Sequence, residues 1–114
     1  MRRDVRLFLE DILESIERIE EYLDNVDEED FYENTIVQDA VLRRLEIIGE
    51  AVKNIPDNIR KKYPDIPWKQ IAGMREVLIH AYFGVNLRRV WKVAVEDIPE
   101  LKPKIAKILN EIGG

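Results

Sequence analysis

The chain has no cysteine, and only one histidine, one serine and one threonine occur among its 114 residues. The absence of cysteine excludes thiol catalysis and disulfide bonds, and it is typical of a protein in a reducing compartment. A single histidine excludes a metal site built from several histidines of one protomer. It also makes His80 the first candidate for acid–base chemistry near neutral pH, where an imidazole titrates.

Long apolar runs are also missing, so the sequence predicts no membrane span and no N-terminal signal segment. We therefore expect a cytoplasmic protein. The net charge of −5 is divided unevenly: residues 1–50 carry 6 basic and 16 acidic side chains, a balance of −10. The remaining residues carry a balance of +5. The acidic half argues against nonspecific coating of nucleic acid, whereas the basic half offers phosphates a local surface.

Apolar residues recur every three or four positions along most of the chain, as in amphipathic helices, and no strand-like alternation of useful length is present. Residues 24–30 form an expected acidic connector. Prolines predict breaks near residues 55–57, 63–67 and 97–99. The pattern predicts an all-α, up-down bundle of four to five helices in one domain, residues 1–114. The expected helices cover residues 4–25, 34–54, 68–82 and 87–96 and a last segment beyond residue 99, with one short turn at 57–62.

The predicted third long helix carries the candidate site. Arg75 and Tyr82 are seven residues apart and share one stripe of a helix, while Glu76 and His80 are four apart and face each other. Glu76 can accept a hydrogen bond from the imidazole and so fix its tautomer. The plainer interpretation is a helix surface on which His80 pairs with Glu76 and Arg75 forms a salt bridge.

Residues 68–85, which include arginine, four residues, histidine, one residue and tyrosine, resemble the signature of the HEPN superfamily. More narrowly, they are similar to the HepT-like toxin family. Residues 44–51, 90–92 and 96–101 resemble further blocks of that family, in the same order. The resemblance covers about residues 5–105. Glu76 departs from the shorter polar residue that often follows the arginine.

The resemblance implies a metal-independent endoribonuclease that works as a homodimer and needs no cofactor. It makes His80 the general acid/base and Arg75 the phosphate clamp, with Glu76 and Glu50 as supporting residues. Cleavage of RNA by its own 2′-hydroxyl needs a base, an acid and positive charge at the phosphorus. One chain offers a single histidine, whereas a two-fold dimer offers two. Glu50 is equally compatible with a packing contact beside Gly49.

The same resemblance implies a type II toxin–antitoxin pair whose antitoxin is a minimal nucleotidyltransferase that transfers AMP onto Tyr82. Tyr82 is alternatively a packing residue or an RNA contact. The alternative function is a noncatalytic HEPN module that docks a nucleotidyltransferase or binds nucleotide. Residues 60–62 and 88–89 are basic runs that form either solvated faces or RNA contacts.

Overall fold

The computed structural model describes residues 4–79 and 86–113. Within these ranges all regular structure is helical and no β-strand occurs, so the prediction of an all-α bundle is confirmed. A π-helical segment, Val93–Asp97, joins the last two α-helices. The α-helices are α1 (Val5–Tyr22), α2 (Glu28–Glu33), α3 (Thr35–Lys53), α4 (Asp57–Lys62), α5 (Trp68–Ile79), α6 (Leu87–Lys92) and α7 (Ile98–Gly113).

Helix α3 lies at the centre of the bundle, because it packs against α1, α2 and α5. Helix α1 also packs against α7, which places both long terminal helices on the same core. Each large aliphatic side chain that leaves water here contributes about 1.5–3 kcal/mol to folding. The fully buried side chains include Leu9, Ile12, Ile16, Ile19, Phe31, Val41, Leu45, Ile48, Ile105 and Ile108.

The acidic connector predicted over residues 24–30 is wrong in its second half, where α2 begins. The carboxylate of Asp27 accepts a hydrogen bond from the backbone N–H of Asp30 at 2.8 Å and so caps the helix. Acidic residues fill the first turn, where they complement the helix dipole. Phe31 is fully buried and its ring lies 5.4 Å from that of Trp91. This tertiary contact holds a helix too short to be stable alone.

The predicted break at residues 97–99 is also wrong, because α6, the π-helical segment and α7 follow one another without a turn. The backbone N–H of Ile98 donates to the carbonyl of Val93, five residues back. Proline lacks an N–H, and its ring clashes with the carbonyl four residues earlier in an α-helix. The wider π turn accommodates Pro99, so the helix continues.

The basic run 60–62 is only partly a solvated face. The guanidinium of Arg60 caps the end of α3: its Nε donates to the carbonyl of Ile55 at 2.9 Å, and its Nη2 to the carbonyl of Val52 at 2.7 Å. The last carbonyls of a helix have no partner within the helix, and a cation there also meets the negative end of the dipole.

We expect Arg60→Ala to lower the free energy of unfolding by roughly 1–3 kcal/mol, because two charge-assisted hydrogen bonds are lost. Chemical denaturation followed by circular dichroism measures the change. Lys61→Ala is the matched control, since Lys61 is an exposed neighbour on the same short helix, and a change within about 0.5 kcal/mol is expected there. Equal effects of the two substitutions would contradict the capping role.

Ser15 is fully buried on α1, and its hydroxyl oxygen has no hydrogen-bond partner among the described residues. A buried unsatisfied hydroxyl is costly, and alanine is the better helix former. We therefore expect Ser15→Ala to raise the free energy of unfolding by about 1 kcal/mol. The exposed Glu17→Ala on the same helix is the surface comparison and should not gain stability, because glutamate is already a good helix former and its carboxylate attracts Lys102. A loss of stability in Ser15→Ala would show that the hydroxyl is satisfied.

Candidate functional site

Arg75 and Glu76 lie in α5, and Glu76 is exposed. His80 and Tyr82 lie outside the described residues, as does the side chain of Arg75. The sequence predicts that this helix ends at about residue 82, and that position also lies outside the described residues. The roles of these residues, and the approach of their side chains to one another, therefore stay predictions. The described structure shows how α5, the helix that carries Arg75 and Glu76, is held in the bundle.

Helix α5 is fixed near both of its ends. Trp68 and Leu78 are 6% and 7% exposed, and the helix packs against α3. The indole N–H of Trp68 donates to the carbonyl of Tyr63 at 3.0 Å, which ties the start of α5 to the chain before it. Trp68 thus anchors the start of α5 in the core. A helix anchored in this way positions Arg75 more tightly than a loop would.

Glu50 lies on α3 and is exposed, and Gly49 beside it is buried. Glu50 lines a shallow cleft of about 320 Å³ whose described walls come from α1, from α3 and from Asn54 just after α3. Glu76 is not among the described lining of that cleft. The supporting roles of Glu50 and Glu76 stay predictions.

A larger cleft, of about 640 Å³, opens against α5. We refer to it as the α5–α7 cleft, since its walls come from α5 and from the continuous helix of α6, the π segment and α7. Sequence reasoning missed this cleft, although a glycine in mid-helix, Gly73, was a signal that could have found it. Its described lining includes Gln70, Ile71, Gly73, Met74 and Leu78 on one side and Arg89, Val93, Asp97 and Leu101 on the other.

Charge is segregated between the elements. Helix α1 carries six acidic and two basic side chains, whereas α6 carries Arg88, Arg89 and Lys92 and no acidic residue. Asn86 caps the start of helix α6, since its side chain accepts from the backbone N–H of Arg89 at 3.2 Å. All three cations of α6 are exposed. The basic helix borders the α5–α7 cleft through Arg89.

Across the residues that the structure describes, no three histidine, cysteine, aspartate or glutamate side chains are grouped as ligands for a metal ion. Over the same residues, no helix is long and apolar enough to cross a membrane.

The fold and the sequence motif of Arg75, His80 and Tyr82 define a class of protein. Its members are all-α bundles with a candidate acid–base site in one short stretch of the chain. The sequence pattern of the family described as "Ribonuclease HepT-like" matches residues 12–108, and the chain belongs to that family. The family resemblance predicted from the sequence is confirmed, and the ribonuclease class is confirmed with it.

Relatives are similar in sequence to this chain over nearly its whole length. A protein of Thermococcus cleftensis named "Probable ribonuclease HepT" is 52% identical over 108 residues, which are 95% of this chain and 98% of that protein. A protein of Methanocaldococcus jannaschii named "Gamma-glutamylcyclotransferase and putative RNase" is 54% identical over 112 residues, 98% of this chain. The chain spans 50% of the length of that relative. No solved structure matches the chain.

Proposed function

We propose that this chain is a metal-independent endoribonuclease, the toxin of a type II toxin–antitoxin pair, and that it acts as a homodimer. The observation that carries the proposal is the family match over residues 12–108, since it contains the whole Arg75, His80 and Tyr82 motif. The ribonuclease named in the Thermococcus relative, which this chain covers almost completely, supports the same activity.

The chemistry that suits these residues is cleavage of RNA by its own 2′-hydroxyl. A neutral His80 takes the proton of the 2′-hydroxyl while that oxygen bonds to phosphorus. The bond from phosphorus to the 5′-oxygen breaks, and the leaving oxygen receives a proton from the protonated His80 of the second protomer. The products are a 2′,3′-cyclic phosphate and a 5′-hydroxyl. The Arg75 guanidinium, a planar fork of N–H donors, neutralises the charge that develops on the phosphoryl oxygens.

Charge segregation gives the RNA a direction of approach. Helix α1, with six acidic side chains against two basic ones, repels a polyanion. The exposed cations of α6 attract it toward the side of the bundle that α5 and α6 share. The motif of α5 and the basic helix thus favour one face of the protein for the substrate.

The antitoxin in this proposal is a minimal nucleotidyltransferase, and its target is the Tyr82 hydroxyl. Tyr82 follows His80 by two residues, so a modified tyrosine would place a phosphate beside the catalytic pair. Control of this kind needs no metal site or cofactor in the toxin itself.

Cleavage in the presence of EDTA tests the proposed activity. We expect the purified protein to cut a single-stranded RNA with an excess of EDTA present and to leave 2′,3′-cyclic phosphate ends, which mass spectrometry identifies. Light scattering of the same preparation should give twice the 13.5 kDa of one chain.

The control is a substrate that carries 2′-deoxyribose at the cleavage position, which keeps the phosphate and lacks the attacking hydroxyl. Loss of cleavage in EDTA with recovery on addition of a divalent ion would reject the metal-free mechanism. Activity in a species that scatters light as a monomer would reject the shared site.

A further inference from the structure

We propose that the α5–α7 cleft holds one nucleobase of the RNA substrate and thereby decides at which nucleotide the RNA is cut. The inference rests on the proposed ribonuclease function and adds a base-binding subsite to it. Its lining residues are distinct from the Arg75 and His80 motif, although the two sets alternate along the sequence. Met74 lines the cleft and directly precedes Arg75 in the chain, and Leu78 lines it two residues before His80.

Gly73 is the first observation in favour of a ligand. It lies inside α5 and lines the cleft, and a β-carbon built on it would meet nothing within 4 Å. Glycine inside a helix destabilises it by roughly 1 kcal/mol relative to alanine. Since no described neighbour needs the space, packing within the protomer does not explain this glycine. It leaves an open strip of helix backbone against which a flat ring can lie.

The walls of the cleft have the chemistry of a base-binding pocket. Ile71 and Met74, both half-buried, face the space from one side, and Val93, also half-buried, faces it from the other. The amide of Gln70 and the carboxylate of Asp97 supply hydrogen-bonding groups beside these apolar surfaces. Single-stranded RNA is recognised in this way, through contact with the face of an unstacked base and hydrogen bonds to its edge.

The size of the cleft and the π-helical segment agree with this occupant. A volume of about 640 Å³ is within the range of small-molecule pockets and leaves room for a base and its ribose. Val93 and Asp97, the first and last residues of the π-helical segment, both line the cleft. Single π turns within α-helices occur often at functional sites.

Charge favours RNA over an apolar partner. The charged lining of the cleft is balanced, with Arg89 and Lys104 against Asp97 and Glu100. Arg89 belongs to α6, whose three exposed cations suit the phosphates on either side of a bound base. A base in the cleft would contact the turn of α5 that contains Arg75, so its own phosphate would lie near the proposed clamp. The cleft would then select the nucleotide, and the motif would cut beside it.

Filling the cleft from Gly73 is the direct test. Gly73→Leu projects a side chain into the open space, and Gly73→Ala is the matched control that adds one methyl group there. We measure kcat/KM and map the cut positions in a pool of random-sequence RNA. Gly73→Leu should lower kcat/KM about tenfold or more and flatten the base preference, and Gly73→Ala, whose methyl group fills less of the cleft, should give a smaller change in the same direction. The isosteric Asp97→Asn, which preserves the shape of the cleft, should change the relative rates at the four bases.

Binding without cleavage separates this inference from the proposed function. NMR follows the methyl signals of Ile71 and Met74 while a short RNA with 2′-O-methyl riboses is added. Shifts that disappear in Gly73→Leu support the subsite even if the unmodified RNA is never cut, a result that would defeat only the nuclease proposal. Unchanged base preference in both Gly73→Leu and Asp97→Asn would overturn it. A change of oligomeric state in Gly73→Leu, without a change in preference, would assign the cleft to a second copy of the chain and overturn it as well.

Discussion

Replacing His80 or Arg75 with alanine is expected to abolish RNA cleavage while the protein stays folded. Loss of a general acid/base group slows such reactions by about a hundredfold to ten-thousandfold, and loss of charge stabilisation at the transition state has a similar effect. Arg75→Lys should fall between the wild type and Arg75→Ala, because lysine keeps the charge and loses the planar fork. Initial rates in EDTA measure all three variants.

The matched control for Arg75→Ala is Arg18→Ala. Arg18 is an exposed arginine on the acidic helix α1, where its guanidinium lies 3.2 Å from Glu21 and 3.8 Å from Glu14. Its removal changes the net charge by the same amount and should leave cleavage unchanged. The helical circular dichroism signal should be the same in every variant. Cleavage at the wild-type rate by His80→Ala would eliminate the proposed mechanism.

Transfer of AMP to Tyr82 is expected to silence the enzyme. The added phosphate would compete with the RNA phosphate for Arg75, and its negative charge would repel incoming RNA. We expect incubation with the cognate nucleotidyltransferase and ATP to add one AMP per chain and to remove RNA cleavage. Peptide mass spectrometry identifies the modified residue, and Tyr82→Phe should remain unmodified and escape silencing.

Two of the other tyrosines are poor acceptors for a physical reason. The Tyr32 hydroxyl donates to Glu28 at 2.6 Å, and this bond, with burial and the negative charge of Glu28, raises the pKa of Tyr32. The hydroxyl of Tyr63 donates to the carboxylate of Glu111, which likewise raises the pKa of Tyr63. Both hydroxyls are engaged as hydrogen-bond donors to a carboxylate. Modification of Tyr32 or Tyr63 in place of Tyr82, or full activity of the Tyr82-modified dimer, would contradict the switch.

Sequence periodicity predicted the long helices because their stability comes from one apolar face repeated over many turns. It failed for α2, whose single buried anchor, Phe31, packs against Trp91 sixty residues later in the chain. It also failed at Pro99, because the rule that proline ends a helix assumes α-helical geometry, and the chain adopts a π turn there. Both errors concern contacts or geometry that a local pattern does not contain.

The candidate site, like the fold, was predictable from the sequence only in part. Arg75, His80 and Tyr82 were predicted from spacing along one expected helix and from family resemblance, which are local properties of the sequence, and their roles stay predictions. The α5–α7 cleft joins residues around Gly73 to residues around Val93, and no local pattern connects them. Arg60 was misjudged in part for a related reason, since its role depends on the carbonyls that α3 leaves open.

The π turn also sets the phase of the last helix. Val90 and Ile98, both buried, are eight residues apart, which in an unbroken α-helix would put them roughly 80° apart around the axis. One extra residue absorbed by the π turn reduces that angle to roughly 20°. The apolar seam that starts at Val90 therefore continues straight into Leu101 and Ile105 of α7. Without the π turn, an unbroken α-helix through the same residues would rotate α7 by about 100° and turn its apolar face away from α1.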